Sequence, residues 1–163
     1  MRTMKHLLKG IFFFLLLPVI SLNLVNAQEA KQEAGIQNLV DSREFVFKAE
    51  TVSPLRGGTR YLTSAYDMKV SRDSLVADLP YFGRAYTAPL DPSKGGIQFT
   101  SINFQYNAEK RKKGGWSISI KPKDATGVQQ LELFISSKGS ASLQVISTNR
   151  ESISFNGHIV PPK

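Results

Sequence analysis

Trp116-Ser117-Ile118-Ser119-Ile120-Lys121, Leu131-Glu132-Leu133-Phe134-Ile135 and Ala141-Ser142-Leu143-Gln144-Val145 decide the fold of this chain. In each stretch alternate positions are apolar. Successive side chains of a strand point to opposite faces, so this spacing gives strands with one buried and one wet face. The second and third stretches are joined by a short turn at Lys138-Gly139. A connection that short fits antiparallel neighbours, not a parallel crossover.

The same pattern extends both ways. Towards the C-terminus, Thr148-Asn149-Arg150-Glu151 reads as a turn and Ile153, Phe155 and Gly157 lie on a final strand. Towards the N-terminus, Lys110-Arg111-Lys112-Lys113-Gly114-Gly115 makes a hairpin tip. Ahead of it, Ile97 and Phe99 are in one phase while Ile102, Phe104 and Tyr106 are in the other. A change of phase requires a bulge or a break near Thr100-Ser101. Leu75 to Leu79 is a strand, reached from Tyr66, Met68 and Val70 through the turn Ser71-Arg72-Asp73-Ser74. Phe45 and Phe47 alternate with Val46 and Lys48 on a strand ended by Pro54, Gly57 and Gly58.

Eight or nine strands joined mostly by short turns form an antiparallel meander with one apolar face. Such a sheet must close or stack to protect its edges. Both a barrel and a two-sheet sandwich satisfy this. The expected fold is all-β, an antiparallel up-and-down, lipocalin-like β-barrel of about eight strands. Residues 44–163 form it, and residues 28–43 form an N-terminal helix ahead of it, with Ile36, Leu39, Val40 and Arg43 at helical spacing.

Residues 1–27 read as a signal peptide. Arg2, Lys5 and Lys9 precede an apolar run from Ile11 to Leu17, and Val25-Asn26-Ala27 places cleavage before Gln28. Pro18 and Asn23 interrupt a run already short for a membrane span. The expected location is the periplasm or beyond it, with no stable membrane span after cleavage. The remaining 136 residues make one domain, large enough to be held by its core alone. That suits a chain without cysteine.

The chain carries 21 Lys and Arg against 13 Asp and Glu. Three of the cations lie in the signal, which leaves 18 against 13 and a net charge of +5. This permits weak attraction to anionic surfaces but points to no nucleic acid.

Catalytic chemistry is poorly supplied. His158 is the one histidine after the signal, and no cysteine exists as nucleophile or metal ligand. No phosphate-cradling glycine loop or nucleophile elbow occurs. Most acids fall in turns or on polar strand faces, although Asp67 and Asp78 come opposite each other if their strands pair. The expectation is no enzyme, no metal and no cofactor.

Leu79-Pro80-Tyr81-Phe82-Gly83-Arg84-Ala85-Tyr86 breaks the strand pattern with three aromatics, an arginine, a proline and a glycine. The loop it begins runs past Pro89 and Pro92 to Gly95-Gly96, longer than an ordinary hairpin connection. Together with Gly95-Gly96-Ile97, Gly114-Gly115-Trp116 and Asn149-Arg150-Glu151-Ser152-Ile153-Ser154-Phe155-Asn156-Gly157, this stretch resembles the domain of unknown function family 4251. Its members are small exported proteins of Bacteroides-like Gram-negative bacteria. The resemblance spans about Gln37 to Ile159. It implies a lipocalin-like topology and brings no activity, substrate or functional residue with it.

Three readings of the aromatic stretch compete. Tyr81, Phe82 and Tyr86 pack across one end of the barrel, with Arg84 paired to a carboxylate. Alternatively, Tyr81, Phe82, Arg84 and Tyr86 border a ligand site at a barrel mouth, the arginine fixing an anionic group. Or they form a protein–protein patch, for which Tyr, Phe and Arg are typical anchors. The preferred function is a non-enzymatic periplasmic module for a small apolar or amphipathic ligand. The alternative is a structural or interaction module with a filled barrel that meets an envelope protein.

Overall fold

The computed structural model describes residues 28–86 and 95–162. The predicted signal peptide, its cleavage site, and Pro89 and Pro92 of the long loop lie outside the described residues.

Helix α1 covers residues 28–42. Arg43 follows it with φ of 57°, and the amides of Arg43 and Glu44 return to the carbonyls of Val40 and Leu39, both at 3.2 Å. A left-handed residue in this hydrogen-bond pattern turns the chain sharply out of a helix. No helix among the described residues is long and apolar enough to cross a membrane.

Nine strands follow: β1 (Phe45–Pro54), β2 (Arg60–Val70), β3 (Leu75–Leu79), β4 (Ile97–Ser101), β5 (Phe104–Lys110), β6 (Trp116–Pro122), β7 (Val128–Ile135), β8 (Ser140–Ser147) and β9 (Ile153–Val160). They form one antiparallel sheet in the order β4-β3-β2-β1-β9-β8-β7-β6-β5. The two outermost strands, β4 and β5, are separated in the chain by Ile102 and Asn103 alone. Counting reversals around the sheet shows that β4 and β5 run in the same direction. They are two halves of one broken stave, the first paired to β3 and the second to β6. The sheet thus nearly closes into an eight-stave barrel, and its seam is joined through the chain itself.

The seam corner is held by Asp124 from the β6–β7 turn. Its carboxylate accepts hydrogen bonds from the Ser101 hydroxyl and from the amides of Ile102 (3.0 Å) and Asn103 (3.2 Å). The Lys123 amide donates to the Asn103 carbonyl at 2.8 Å. These bonds, the Ser101 hydroxyl first, hold the Asp124 carboxyl below its usual range.

The phase change therefore falls as a break at Ile102-Asn103, directly after Thr100-Ser101. One expectation is overturned here. Ile102 is not an inward residue; it sits on the corner and is 76% exposed. Buried Ser101 takes the inward position and spends its hydroxyl on Asp124.

The interior is built from the alternating residues of every strand. Phe45, Phe47, Met68, Leu75, Ile118, Leu131, Leu133, Leu143 and Phe155 are all fully buried. Trp116 joins them, while Phe99 and Phe104 pack on this core half-buried. The wall is irregular where β1 meets β9. The register shifts between Ala49 and Thr51 on both sides of β1. There a Cβ on Gly157 would stand 1.8 Å from the Lys48 carbonyl oxygen, so the close approach admits only glycine.

Opposite the same shift, residues 62–65 of β2 have no partner on β1. Arg60-Tyr61-Leu62-Thr63-Ser64-Ala65 shows no alternation for this reason, and sequence reading places no strand there.

Helix α1 lies across one end of the barrel. Val40 is buried, its carbonyl accepts the Tyr106 hydroxyl at 3.2 Å, and Arg43 stacks 5.0 Å from the Tyr106 ring. Burial pushes the Tyr106 phenol well above its usual value, so it stays a donor. Ion pairs Lys110–Glu33 (3.2 Å), Lys138–Glu29 (2.9 Å) and Arg72–Glu44 (3.3 Å) tie three hairpin turns to the helix region. The other end holds the turns β1–β2, β6–β7 and β8–β9 and the long β3–β4 loop.

Candidate functional site

The β3–β4 loop springs from the cross-strand pair Leu79↔Ile97. Pro80 follows, buried, and ends the ladder because it has no amide to donate. The chain then crosses the barrel end and meets the β8–β9 turn. Ala85 bridges Arg150 in antiparallel fashion. The Glu151 amide donates to the Arg84 carbonyl at 3.0 Å, and the Tyr86 amide to the Asn149 carbonyl at 2.9 Å. These backbone hydrogen bonds fasten the segment to the turn.

Tyr81 is the side chain beneath this ladder. Its hydroxyl lies 2.9 Å from the Arg84 carbonyl oxygen and 3.0 Å from that of Glu151, one proton between two acceptors. The Arg150 guanidinium covers its ring at 4.8 Å and donates to the carbonyls of Gly95 (3.3 Å) and Gly96 (3.1 Å). Burial raises the Tyr81 phenol above its usual value, only partly offset by Arg150. A Cβ on Gly83 would come 2.5 Å from the Tyr81 hydroxyl oxygen, so a larger residue there would push the phenol off its two carbonyls. Gly96 likewise faces the Leu79 carbonyl. Arg150 thus ties both feet of the loop to one turn.

The four residues singled out from sequence separate into two groups. Tyr81 faces inward and builds the cap. Phe82 (45% exposed), Arg84 and Tyr86 (67% exposed) face solvent. The described residues make no ion pair to Arg84; its carbonyl does the structural work. The arginines that touch this cap are others. Arg150 covers Tyr81, Arg56 pairs with buried Glu151 at 3.7 Å, and Arg60 stacks 5.6 Å from the Phe82 ring.

Sequence reading missed these three because each sits in or beside a turn. One signal was available: Asn149-Arg150-Glu151 belongs to the same motif set as Leu79 to Tyr86. Of the four motifs carrying the family resemblance, three meet at this end: Leu79 to Tyr86, Gly95-Gly96-Ile97 and the start of Asn149 to Gly157.

Asp67, Asp78 and His158 lie on strands of the wall, away from the cap. Asp67 and Asp78 are directly opposed, yet Asp67 pairs with Lys48 at 2.5 Å and Asp78 accepts from Gln98 at 2.8 Å. His158 meets Glu50 at 2.8 Å on the outer face. Among the described residues, no three His, Asp or Glu side chains gather to hold a metal ion.

Comparison with known proteins agrees with this architecture. A family model described as Domain of unknown function (DUF4251) matches residues 27–159. A search of curated proteins finds no match. The fold is similar to the 1.95 Å crystal structure of a DUF4251 family protein from Bacteroides eggerthii DSM 20697. The TM-score is 0.56 at 17% sequence identity, over 83% of this chain and 91% of that one. At that identity the likeness speaks for the fold.

Proposed function

We propose that this chain, which belongs to the DUF4251 family, is an exported, non-enzymatic interaction module that meets an envelope partner through the loop end of its barrel. The observation that carries the reading is the division of labour in the aromatic segment. Tyr81 and the backbone fasten the loop, leaving Phe82, Arg84 and Tyr86 displayed on a fixed platform. Aromatic and arginine side chains on a rigid base lose little freedom on binding and are typical interface anchors. Leu55, 68% exposed, and Arg60 stand on neighbouring structure at the same end.

The filled interior favours this reading over a ligand held inside the barrel. A guest there would have to displace Phe45, Phe47, Met68 or Phe155, each fully buried. Buried Glu151 is paired with Arg56, and His158 with Glu50.

The test compares wild type with a Phe82→Ala, Arg84→Ala, Tyr86→Ala triple variant in cross-linking and capture from the envelope fraction of the producing cell. A partner retained by wild type and lost by the variant is expected. Unchanged capture would sink the reading. Mass spectrometry of the same periplasmic material reads the export proposal, which requires an N-terminus at Gln28.

A further inference from the structure

The outer wall of this barrel carries a groove where β1, β2 and β9 run side by side. Two cross-strand rows make its floor. One row is Lys69–Val46–Val160 and the next is Asp67–Lys48–His158. All six face away from the core residues Phe45, Phe47, Met68 and Ile159. Pro161 and Pro162, which continue β9, add a wall, and the groove measures about 610 Å³. That lies within the range of small-molecule sites.

Its chemistry is divided. Val46, Val160, Pro161 and Pro162 give one apolar side. Val46 is only 5% exposed, although it points to the outer face where polar residues are the rule. The other side is ionic, and its charges are unequally matched. Lys48 is held by Asp67 at 2.5 Å and His158 by Glu50 at 2.8 Å. Lys69, exposed on the apolar row, pairs with no carboxylate among the described residues. The groove therefore offers an apolar strip with one uncommitted cation beside it.

We propose that this groove binds a small amphipathic anion, an alkyl chain ending in one carboxylate. The chain lies on Val46, Val160 and the two prolines, and the carboxylate meets the Lys69 ammonium. This ligand site is outside the barrel and independent of the loop-end platform.

Decanoate is the probe, titrated into the purified protein below its micelle concentration, with decanol as the uncharged control. Calorimetry reads affinity, and methyl NMR reads Val46 and Val160. The expected result is saturable one-to-one binding that shifts both valines, with decanol weaker. Lys69→Glu, a change at an exposed position, should weaken decanoate by about tenfold or more, the scale of one charge-assisted hydrogen bond. Absence of saturable binding overturns the proposal. So does an affinity unmoved by Lys69→Glu, or methyl shifts confined to the barrel interior.

Discussion

The two ends of this barrel are closed by different means. At one end helix α1 lays buried Val40 and half-buried Ile36 and Leu39 against the core. At the other, the segment from Pro80 to Tyr86 is laced to the β8–β9 turn by backbone hydrogen bonds, with Tyr81 as its one inward aromatic. A helix uses up its own backbone donors and must close with side chains. A loop closes with its backbone and leaves its side chains free. The difference teaches where function can reside: the helix end spends its apolar residues inward, while the loop end can display Phe82 and Tyr86.

The largest effect should come from the helix end. Val40→Asp places an unpaired carboxylate at a site 1% exposed. The expected loss is about 3 kcal/mol or more, read from urea unfolding. A loss below about 1 kcal/mol would show that the helix is an accessory, not a lid, and the comparison would fail.

At the loop end, Tyr81→Phe keeps the ring under Arg150 and removes only the hydroxyl. It should cost about 1 kcal/mol, the worth of one net hydrogen bond. If the cap is held as described, amide exchange at Glu151 and Tyr86 should quicken with it. No change at either amide would mean that the phenol is a bystander.

Asp124 closes the seam at the same end, and its carboxyl is held low. A group whose folded pKa is depressed contributes stability above its unfolded pKa and loses it as pH falls through the folded value. Wild type should therefore exceed Asp124→Ala in stability at neutral pH, and the gap should narrow below about pH 4. A gap that is constant with pH would assign the effect to packing. Salt should alter the gap little, because the partners are a hydroxyl and two amides.

The same contrast explains what the sequence disclosed. Side-chain periodicity is visible in a sequence, and every element built on it was legible. Leu75 to Leu79, the strands from Trp116 to Val145, and the helix stripe all stand where alternation or helical spacing put them. Contacts made by backbone atoms leave no such trace. The loop's hold on Asn149 and Glu151, the broken stave at Ile102-Asn103 and the unpaired stretch 62–65 all depend on main-chain geometry. The aromatic segment was found because its composition is odd. Its inward member, Tyr81, could not be told from Phe82 and Tyr86, since no period orders a loop.

The smallest expected effect separates those residues most sharply. Phe82→Ala and Tyr86→Ala remove large apolar groups, but from exposed positions. Each should change folding stability by no more than about 0.5 kcal/mol. That ceiling includes the Phe82 contact with Arg60, a long, exposed cation–π pair at the low end of its range, about 0.5 kcal/mol. Near-neutral stability combined with lost partner capture would mean that these aromatics are kept for something other than the fold. A cost near that of Tyr81→Phe would mean the reverse, that Phe82 and Tyr86 help to close the barrel. Both ends would then be lids, and the platform would have to be sought elsewhere on the surface.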